Sequence, residues 1–142
     1  MILKNLAALK FLRLFPLTLL CVALIFVLSF FNPPETPLGE VAFIDKWTHL
    51  VMYGGTMSVF WFEYRRLESR GRFRLSRAAL VWLTLIVPFA LGGIIELLQA
   101  YCTGGRRSGE WVDWLADNLG VLIAYALGNS LIKTLVRRMT MW

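Results

Sequence analysis

The chain has 142 residues, of which 58% are apolar, and it carries a formal net charge of +6. This length suits a single domain, residues 1–142, but a mean hydropathy of +0.62 is too high for a soluble domain of that size. The basic residues stand in short clusters between long apolar stretches, as membrane topology requires, so we expect no nucleic-acid partner.

Four apolar stretches approach or exceed the roughly 20 residues that a helix needs to cross a bilayer. In chain order they are residues 14–31, 47–64, 78–101 and 114–136. None shows the apolar–polar alternation of a barrel strand, so each predicts a transmembrane helix, and Pro88 predicts a kink in the third. The sequence therefore predicts an all-α membrane protein, a bundle of four transmembrane helices.

The arginines and lysines predict how these helices are oriented. Twelve of the 15 basic residues precede the first stretch, join the second to the third, or lie at or beyond the end of the fourth. Because cytoplasmic segments are enriched in Lys and Arg, both termini are predicted to be cytoplasmic. Tryptophan favours the headgroup level, so Trp47, Trp111 and Trp114 mark the outer boundary and Trp61 and Trp82 the inner one.

Ionisable residues recur at one level in three of the predicted helices. His49 lies near the start of the second, Glu96 near the end of the third and Asp117 near the start of the fourth. At a rise of 1.5 Å per residue, each lies roughly 6 to 8 Å inside the outer boundary. Since a charge facing lipid is costly, such residues turn inward and pair. The sequence predicts an outward-facing polar pocket at this level.

Further polar residues lie at helical spacing from these three or directly beside them. They are Asp45 just before the second helix and Tyr53 within it, Gln99 in the third, and Asp113 just before the fourth helix and Asn118 within it. Asp113 also stands where the N-cap of the fourth helix is expected. Small residues on the same faces predict close helix packing, and they are Gly92, Gly93, Ala124 and Gly128.

The segment between the third and fourth helices reads CTGGRRSGEWVD and carries Arg106 and Arg107. A guanidinium suits phosphate or carboxylate, so either arginine is a candidate ligand-binding residue at the mouth of the pocket. Alternatively, one or both neutralise Glu96, Asp113 or Asp117. The sequence leaves both interpretations open.

Four separated motifs make the chain resemble the VanZ-like membrane proteins over residues 40–130. They are DKWTHLVMYG, GGIIELLQAY, the arginine-bearing loop and DWLADNLGVLIAYALG. The resemblance implies roles for Asp45, Lys46, His49, Tyr53, Glu96, Gln99, Arg106 or Arg107, Asp113, Asp117, Asn118 and Gly120. It also implies a location in the bacterial cytoplasmic membrane and a link to the cell envelope or to tolerance of the glycopeptide teicoplanin.

Two functions are compatible with such a pocket. The first is an accessory or binding protein that captures a lipid-linked envelope precursor or docks on a membrane partner protein. The second is a membrane enzyme that acts on a lipid-linked or envelope precursor by acid/base chemistry at Glu96, His49 and Asp117, with Asp45 and Asp113 as further catalytic candidates. No cofactor is expected, although one histidine among carboxylates would suit Mg²⁺, Mn²⁺ or Ca²⁺ better than zinc.

Overall fold

The computed structural model describes residues 11–30, 43–104 and 109–140, and its regular elements are all helical. The helices are α1 (Pro16–Phe30), α2 (Ile44–Ser69), α3 (Arg77–Val81), α4 (Val87–Cys102), α5 (Trp111–Asn129) and α6 (Leu131–Thr140). A π-helical turn, Trp82–Ile86, joins α3 to α4, so that Arg77–Cys102 is one helix of 26 residues. The described part of the chain contains no strand, and the predicted all-α class is confirmed.

Successive long helices run in opposite directions. The start of α1 meets the end of α2, where Thr18 is hydrogen-bonded to Glu63, and the end of α1 meets the end of α4, where Gln99 donates to the carbonyl of Ser29. The starts of α2 and α5 also lie together. We call the end of the bundle with Asp45, Glu96, Glu110, Asp113 and Asp117 the acidic end, and the opposite end, with Arg65, Arg74, Lys133 and Arg137, the basic end.

α2 is the central helix, and it packs most extensively on α5. Glycines permit this contact. A Cβ atom on Gly54 would lie 3.1 Å from the carbonyl oxygen of Gly120, and a Cβ atom on Gly120 would overlap the carbonyl oxygen of Leu50. Because backbone lies on both sides, the two helices approach this closely only with glycine at these positions.

Glu63 joins α1 to α2 near the basic end. Its carboxylate accepts hydrogen bonds from the backbone N–H groups of Leu17 and Thr18 at 3.1 and 3.0 Å, and from the Thr18 hydroxyl at 2.6 Å. The first N–H groups of a helix have no partner within it, so a carboxylate from another helix satisfies them here. Glu63, which belongs to α2, therefore fixes the start of α1 against α2.

Much of the surface of α1, α4 and α5 is apolar. Its exposed large residues include Leu17, Leu20, Leu24, Val27, Phe89, Ile94, Leu97, Leu115, Leu119 and Leu122. Arg77–Cys102 is long and apolar enough to cross a membrane, and Trp111–Asn129 with Leu131–Thr140 would be a second such segment if the bent pair forms one span. Pro16–Phe30 is apolar but shorter.

The fourth predicted stretch is divided where an unbroken helix was expected. α5 ends at Asn129, and α6 leaves it at an angle of 41°. Asn129 and Ser130 turn their side chains back onto the carbonyl oxygens of Tyr125 and Ala126. Side chains that bond to their own helix backbone compete with its regular hydrogen bonds and often bend it.

A widened helical turn precedes Pro88, the residue at which a kink is predicted. Proline has no N–H to offer the carbonyl one turn back, and the turn before it widens to π-helical geometry, with the N–H of Val87 bonded to the carbonyl of Trp82. The structure therefore absorbs Pro88 by this wider turn within the helix Arg77–Cys102.

Trp61 is the exception among the tryptophans expected at the membrane boundaries. It is 1% exposed, packs directly on Gly128 and lies beneath the guanidinium of Arg65, which is 4.8 Å from the ring centre. Trp47, Trp82 and Trp111 are exposed, as residues at a headgroup boundary would be. Trp61 is instead part of the core at the basic end.

Candidate functional site

His49 lies among carboxylates from two other helices. Its Nδ1 atom is 2.9 Å from Oδ1 of Asp117 and 3.8 Å from Oε1 of Glu96, and its Nε2 atom is 4.0 Å from Oδ2 of Asp113. All four side chains are buried. We call these four residues the carboxylate–histidine cluster. It confirms that α2, α4 and α5 bring ionisable groups to one level of the bundle.

Helical geometry and one glycine position the members of the cluster. Asp113 and Asp117 are four residues apart on α5, so both face α2. A Cβ atom on Gly92 would lie 3.1 Å from Oδ2 of Asp117 and 3.6 Å from Cε1 of Tyr53. The bare backbone of α4 at Gly92 therefore leaves room for both side chains.

Lys46 lies at the outer edge of the cluster and balances part of its charge. Its Nζ atom is 2.7 Å from Oε2 of Glu110, 2.8 Å from Oδ1 of Asp113 and 3.5 Å from Oδ2 of Asp45. The two shortest of these contacts make the ammonium of Lys46 the ion-pair partner of Glu110 and Asp113.

Glu110 is a member of the site that the sequence did not single out. Its side chain binds Lys46, and its backbone N–H donates to Oε2 of Glu96 at 2.9 Å. Because Glu110 precedes α5, it lies outside the helical spacing that identified the other residues. It is also the N-cap residue of α5, although its side chain caps no N–H group.

The expected N-cap role of Asp113 is wrong. Asp113 lies in the first turn of α5, and its carboxylate faces Lys46 and His49 rather than the free N–H groups of its own helix. A negative charge in this first turn is still favoured by the helix dipole.

Several candidate residues have other partners. Gln99 is buried and donates to the Ser29 carbonyl at 2.7 Å, which joins α4 to α1. Asn118 donates to the carbonyl of Trp114 in its own helix. Asp45 is exposed, and its contact with Lys46 is the longest of the three. Arg106 and Arg107 lie outside the described residues.

Four buried polar atoms of this site have no hydrogen-bond partner among the described residues. They are the hydroxyl of Tyr53, Oε1 of Glu96, Oδ2 of Asp117 and Oδ1 of Asp113, and the last of these is in ion-pair contact with Lys46 at 2.8 Å. Leaving a buried polar group without a partner costs about 1 to 3 kcal/mol, so such groups are rare without a function or a ligand. These atoms lie around His49. A ligand bound there would supply the missing partners and so remove the cost of leaving these atoms unpaired.

The charges of the acidic end select the kind of ligand. The described side chains within 4.0 Å of Lys46 or His49 include five carboxylates, whereas these two residues supply at most two positive charges. Within the described residues, this excess would repel an additional anion. An additional cation would be attracted.

The spacing of the donor atoms fits a divalent cation. One atom each from His49, Glu96 and Asp117 lie within 4.8 Å of one another, and the same holds for Asp45, His49 and Asp113. Two ligands of one ion, with bonds of about 2.0 to 2.6 Å, lie at most about 4 to 5 Å apart. Donor sets of mostly carboxylate oxygen suit Mg²⁺, Mn²⁺ or Ca²⁺.

No family model matches the chain, and no curated protein or solved structure matches it significantly. The resemblance to the VanZ-like proteins thus stays a prediction that rests on the motifs in the sequence. The cluster itself draws His49, Glu96 and Asp117 from three of those motifs.

Proposed function

We propose that the protein is a multi-pass protein of the bacterial cytoplasmic membrane, with four transmembrane helices and both termini cytoplasmic. The apolar surfaces of α1, α4 and α5 support this, because a soluble monomer rarely exposes apolar patches of such extent. The crossings would be α1, α2, Arg77–Cys102 and α5, and the excess of Lys and Arg would place the basic end in the cytoplasm. The acidic end then faces outward.

The native cysteine of α4 tests this topology. Cys102 is exposed at the acidic end. We expect a membrane-impermeant maleimide to label it in intact spheroplasts, and the Cys102→Ser variant to lose that signal. Labelling of Cys102 only after the membrane is broken would contradict the topology.

Within that topology, we propose that the carboxylate–histidine cluster binds a divalent cation and that the protein serves the cell envelope as a binding or accessory protein. The observation that carries the proposal is the group of buried carboxylate oxygens on Glu96 and Asp117 that lack hydrogen-bond partners beside His49. A bound cation would satisfy them and offset the excess negative charge. The resemblance to the VanZ-like proteins would connect this role with envelope biology or teicoplanin tolerance.

The second candidate function is a membrane enzyme that acts on a lipid-linked or envelope precursor. One observation favours it: Asp117 holds Nδ1 of His49, which leaves Nε2 directed towards Asp113 at the outer edge of the cluster. An imidazole oriented by a carboxylate is a common arrangement for general acid/base chemistry. Glu96 would then be the second acid/base group.

Substitution of Glu96 by glutamine tests the binding site. We expect the purified wild-type protein to bind Mn²⁺ saturably in titration calorimetry, and Glu96→Gln to weaken that binding at least tenfold, because the amide lacks the negative charge. Glu68→Gln, at the basic end, is the matched control and should bind as the wild type does. Absence of saturable Mn²⁺ binding, or equal affinity in Glu96→Gln, would refute the cation site.

Cellular lipids separate the two candidate functions. If the protein is an enzyme, deletion of the gene and the Glu96→Gln allele should both accumulate the same lipid-linked envelope intermediate. Unchanged intermediates together with altered teicoplanin binding to cells would support the accessory role. Membrane levels of the variant must equal those of the wild type, since loss of the protein would mimic loss of the site.

A further inference from the structure

A cavity of about 730 Å³ lies at the basic end, opposite the carboxylate–histidine cluster. Its walls are the end of α2, the connection from α2 to α3, and α6. The charged residues that line it are Arg65, Glu68, Arg74, Lys133 and Arg137. Pockets of some 300 to 1,000 Å³ are typical of small-molecule sites, so this one has room for a headgroup.

The single carboxylate of this cavity is already paired. Arg65 binds Oε2 of Glu68 at 2.7 Å, and it also donates to Asn129 and to the carbonyl of Gly128. The charges of Arg65 and Glu68 therefore offset each other, and the hydrogen bonds of Arg65 fix this side of the cavity.

The remaining charge of the cavity is positive. Within the described residues, no carboxylate lies at ion-pair distance from Arg74, Lys133 or Arg137. All three residues are exposed. Three cations that converge on one cavity favour an anionic ligand, and arginine is well suited to phosphate.

α6 has the basic and apolar faces that are typical of a helix at a membrane surface. Lys133 and Arg137 are four residues apart and share one face of α6, while Leu131, Leu135 and Met139 present exposed apolar side chains. α6 also turns away from α5 by 41°. Short helices with basic and apolar faces lie in the interface of anionic membranes.

We propose that this cavity binds the phosphate headgroup of an anionic phospholipid of the inner leaflet. The proposal rests on the membrane location proposed above. Arg74, Lys133 and Arg137 would contact the phosphate, and the apolar residues of α6 would meet the acyl chains. Basic pockets on the cytoplasmic side of membrane proteins recognise lipid headgroups in this way.

Native mass spectrometry of the full-length protein tests the site. Protein released from nanodiscs of equal phosphatidylglycerol and phosphatidylcholine should retain phosphatidylglycerol preferentially. The double variant Lys133→Gln/Arg137→Gln should lose that preference at least fivefold. Arg138→Gln is the matched control, because it removes a neighbouring charge of α6 that does not line the cavity, and it should retain the wild-type preference.

Other results would overturn the proposal. Equal retention of the two lipids by the wild type, or an equal loss in Arg138→Gln and the double variant, would show that only diffuse charge attracts lipid. Displacement of phosphatidylglycerol by submillimolar inorganic phosphate would assign the cavity to a soluble phosphate instead. Failure of the membrane location itself is distinguishable, because such a protein would retain neither lipid and Cys102 would resist labelling from outside.

Discussion

We expect Gly120→Ala to destabilise the protein strongly, whereas Gly55→Ala, one residue after the glycine that Gly120 faces, should leave its stability unchanged or slightly raised. A Cβ atom on Gly120 would overlap the carbonyl oxygen of Leu50 and lie 2.9 Å from the backbone nitrogen of Gly54. Both are backbone atoms, so the clash is relieved only if α2 and α5 separate. Overpacking costs about 1 to 3 kcal/mol and more where the neighbour is rigid, and we expect the upper part of this range.

The control has the opposite sign for a physical reason. A Cβ atom on Gly55 would meet nothing within 4 Å. Alanine is favoured over glycine in a helix interior by roughly 0.5 to 1 kcal/mol. Gly55→Ala should gain this stability, whereas in Gly120→Ala the steric clash outweighs it. Thermal unfolding in detergent measures both. Equal midpoints for the two variants would show that the α2–α5 contact is looser than the structure has it.

The same contact links stability to the site. Gly120 lies about one helical turn from Asp117, and the contact of α5 with α2 holds Asp117 at 2.9 Å from His49. Gly120→Ala should therefore also weaken Mn²⁺ binding. Gly120 therefore affects the site although it contributes no side chain to it.

The level of the site was predictable, whereas its internal partners were not. His49, Glu96 and Asp117 could be placed together because the rise of a helix converts residue number into depth. The bond between the backbone of Glu110 and the carboxylate of Glu96 joins residues 14 apart across a connection, where no helical period applies. The contact of Lys46 with Glu110 depends on the same connection.

The buried charges at the basic end show a second feature that could not be predicted from the sequence. Counting Arg and Lys predicts which side of a membrane a loop occupies. The count does not distinguish the buried Arg65 from its exposed neighbours, and it leaves out Glu63. In the structure both are buried, Glu63 because α1 needs an acceptor for its first N–H groups and Arg65 because Gly128 and Asn129 need donors. These partners lie more than 40 residues away.

The division between α5 and α6 escaped prediction for a related reason. The mean hydropathy of residues 114–136 favours one helix, although Gly128, Asn129 and Ser130 interrupt the apolar run where the break occurs. The break depends on the hydrogen bonds of Asn129 and Ser130 to the preceding turn and on the bond from Arg65 to Gly128. Neither an apolar average nor a charge count contains this information.

We expect Lys46→Met to make the stability of the protein depend on a divalent cation. In the wild type, Lys46 forms ion pairs with Glu110 and Asp113, and Asp113 is almost fully buried. Removing one partner of a buried ion pair leaves the other charge uncompensated, so we expect a loss of about 1 to 3 kcal/mol in metal-free buffer, less than for a fully buried pair because Lys46 is partly exposed.

Mn²⁺ should restore the stability of Lys46→Met and bind to it more tightly than to the wild type. The variant has one positive charge fewer beside the carboxylate–histidine cluster, and repulsion between a lysine and a divalent ion within several ångströms is worth at least about 1.4 kcal/mol at an effective dielectric constant near 20, or tenfold in affinity. A ligand that binds only the folded state raises its stability in proportion to the logarithm of its concentration. Thermal midpoints measured against Mn²⁺ concentration report both effects.

Arg138→Gln is the control for the change at Lys46, because it also removes one positive charge but from the exposed face of α6 at the basic end. Its midpoint and its response to Mn²⁺ should stay near those of the wild type. The sign of the Lys46→Met effect also separates two roles for this lysine. Tighter Mn²⁺ binding means that Lys46 balances carboxylates that a cation would otherwise occupy. Weaker binding, or a destabilisation that Mn²⁺ does not reverse, would mean that Lys46 belongs to a site for an anionic ligand, and the cation site would be refuted.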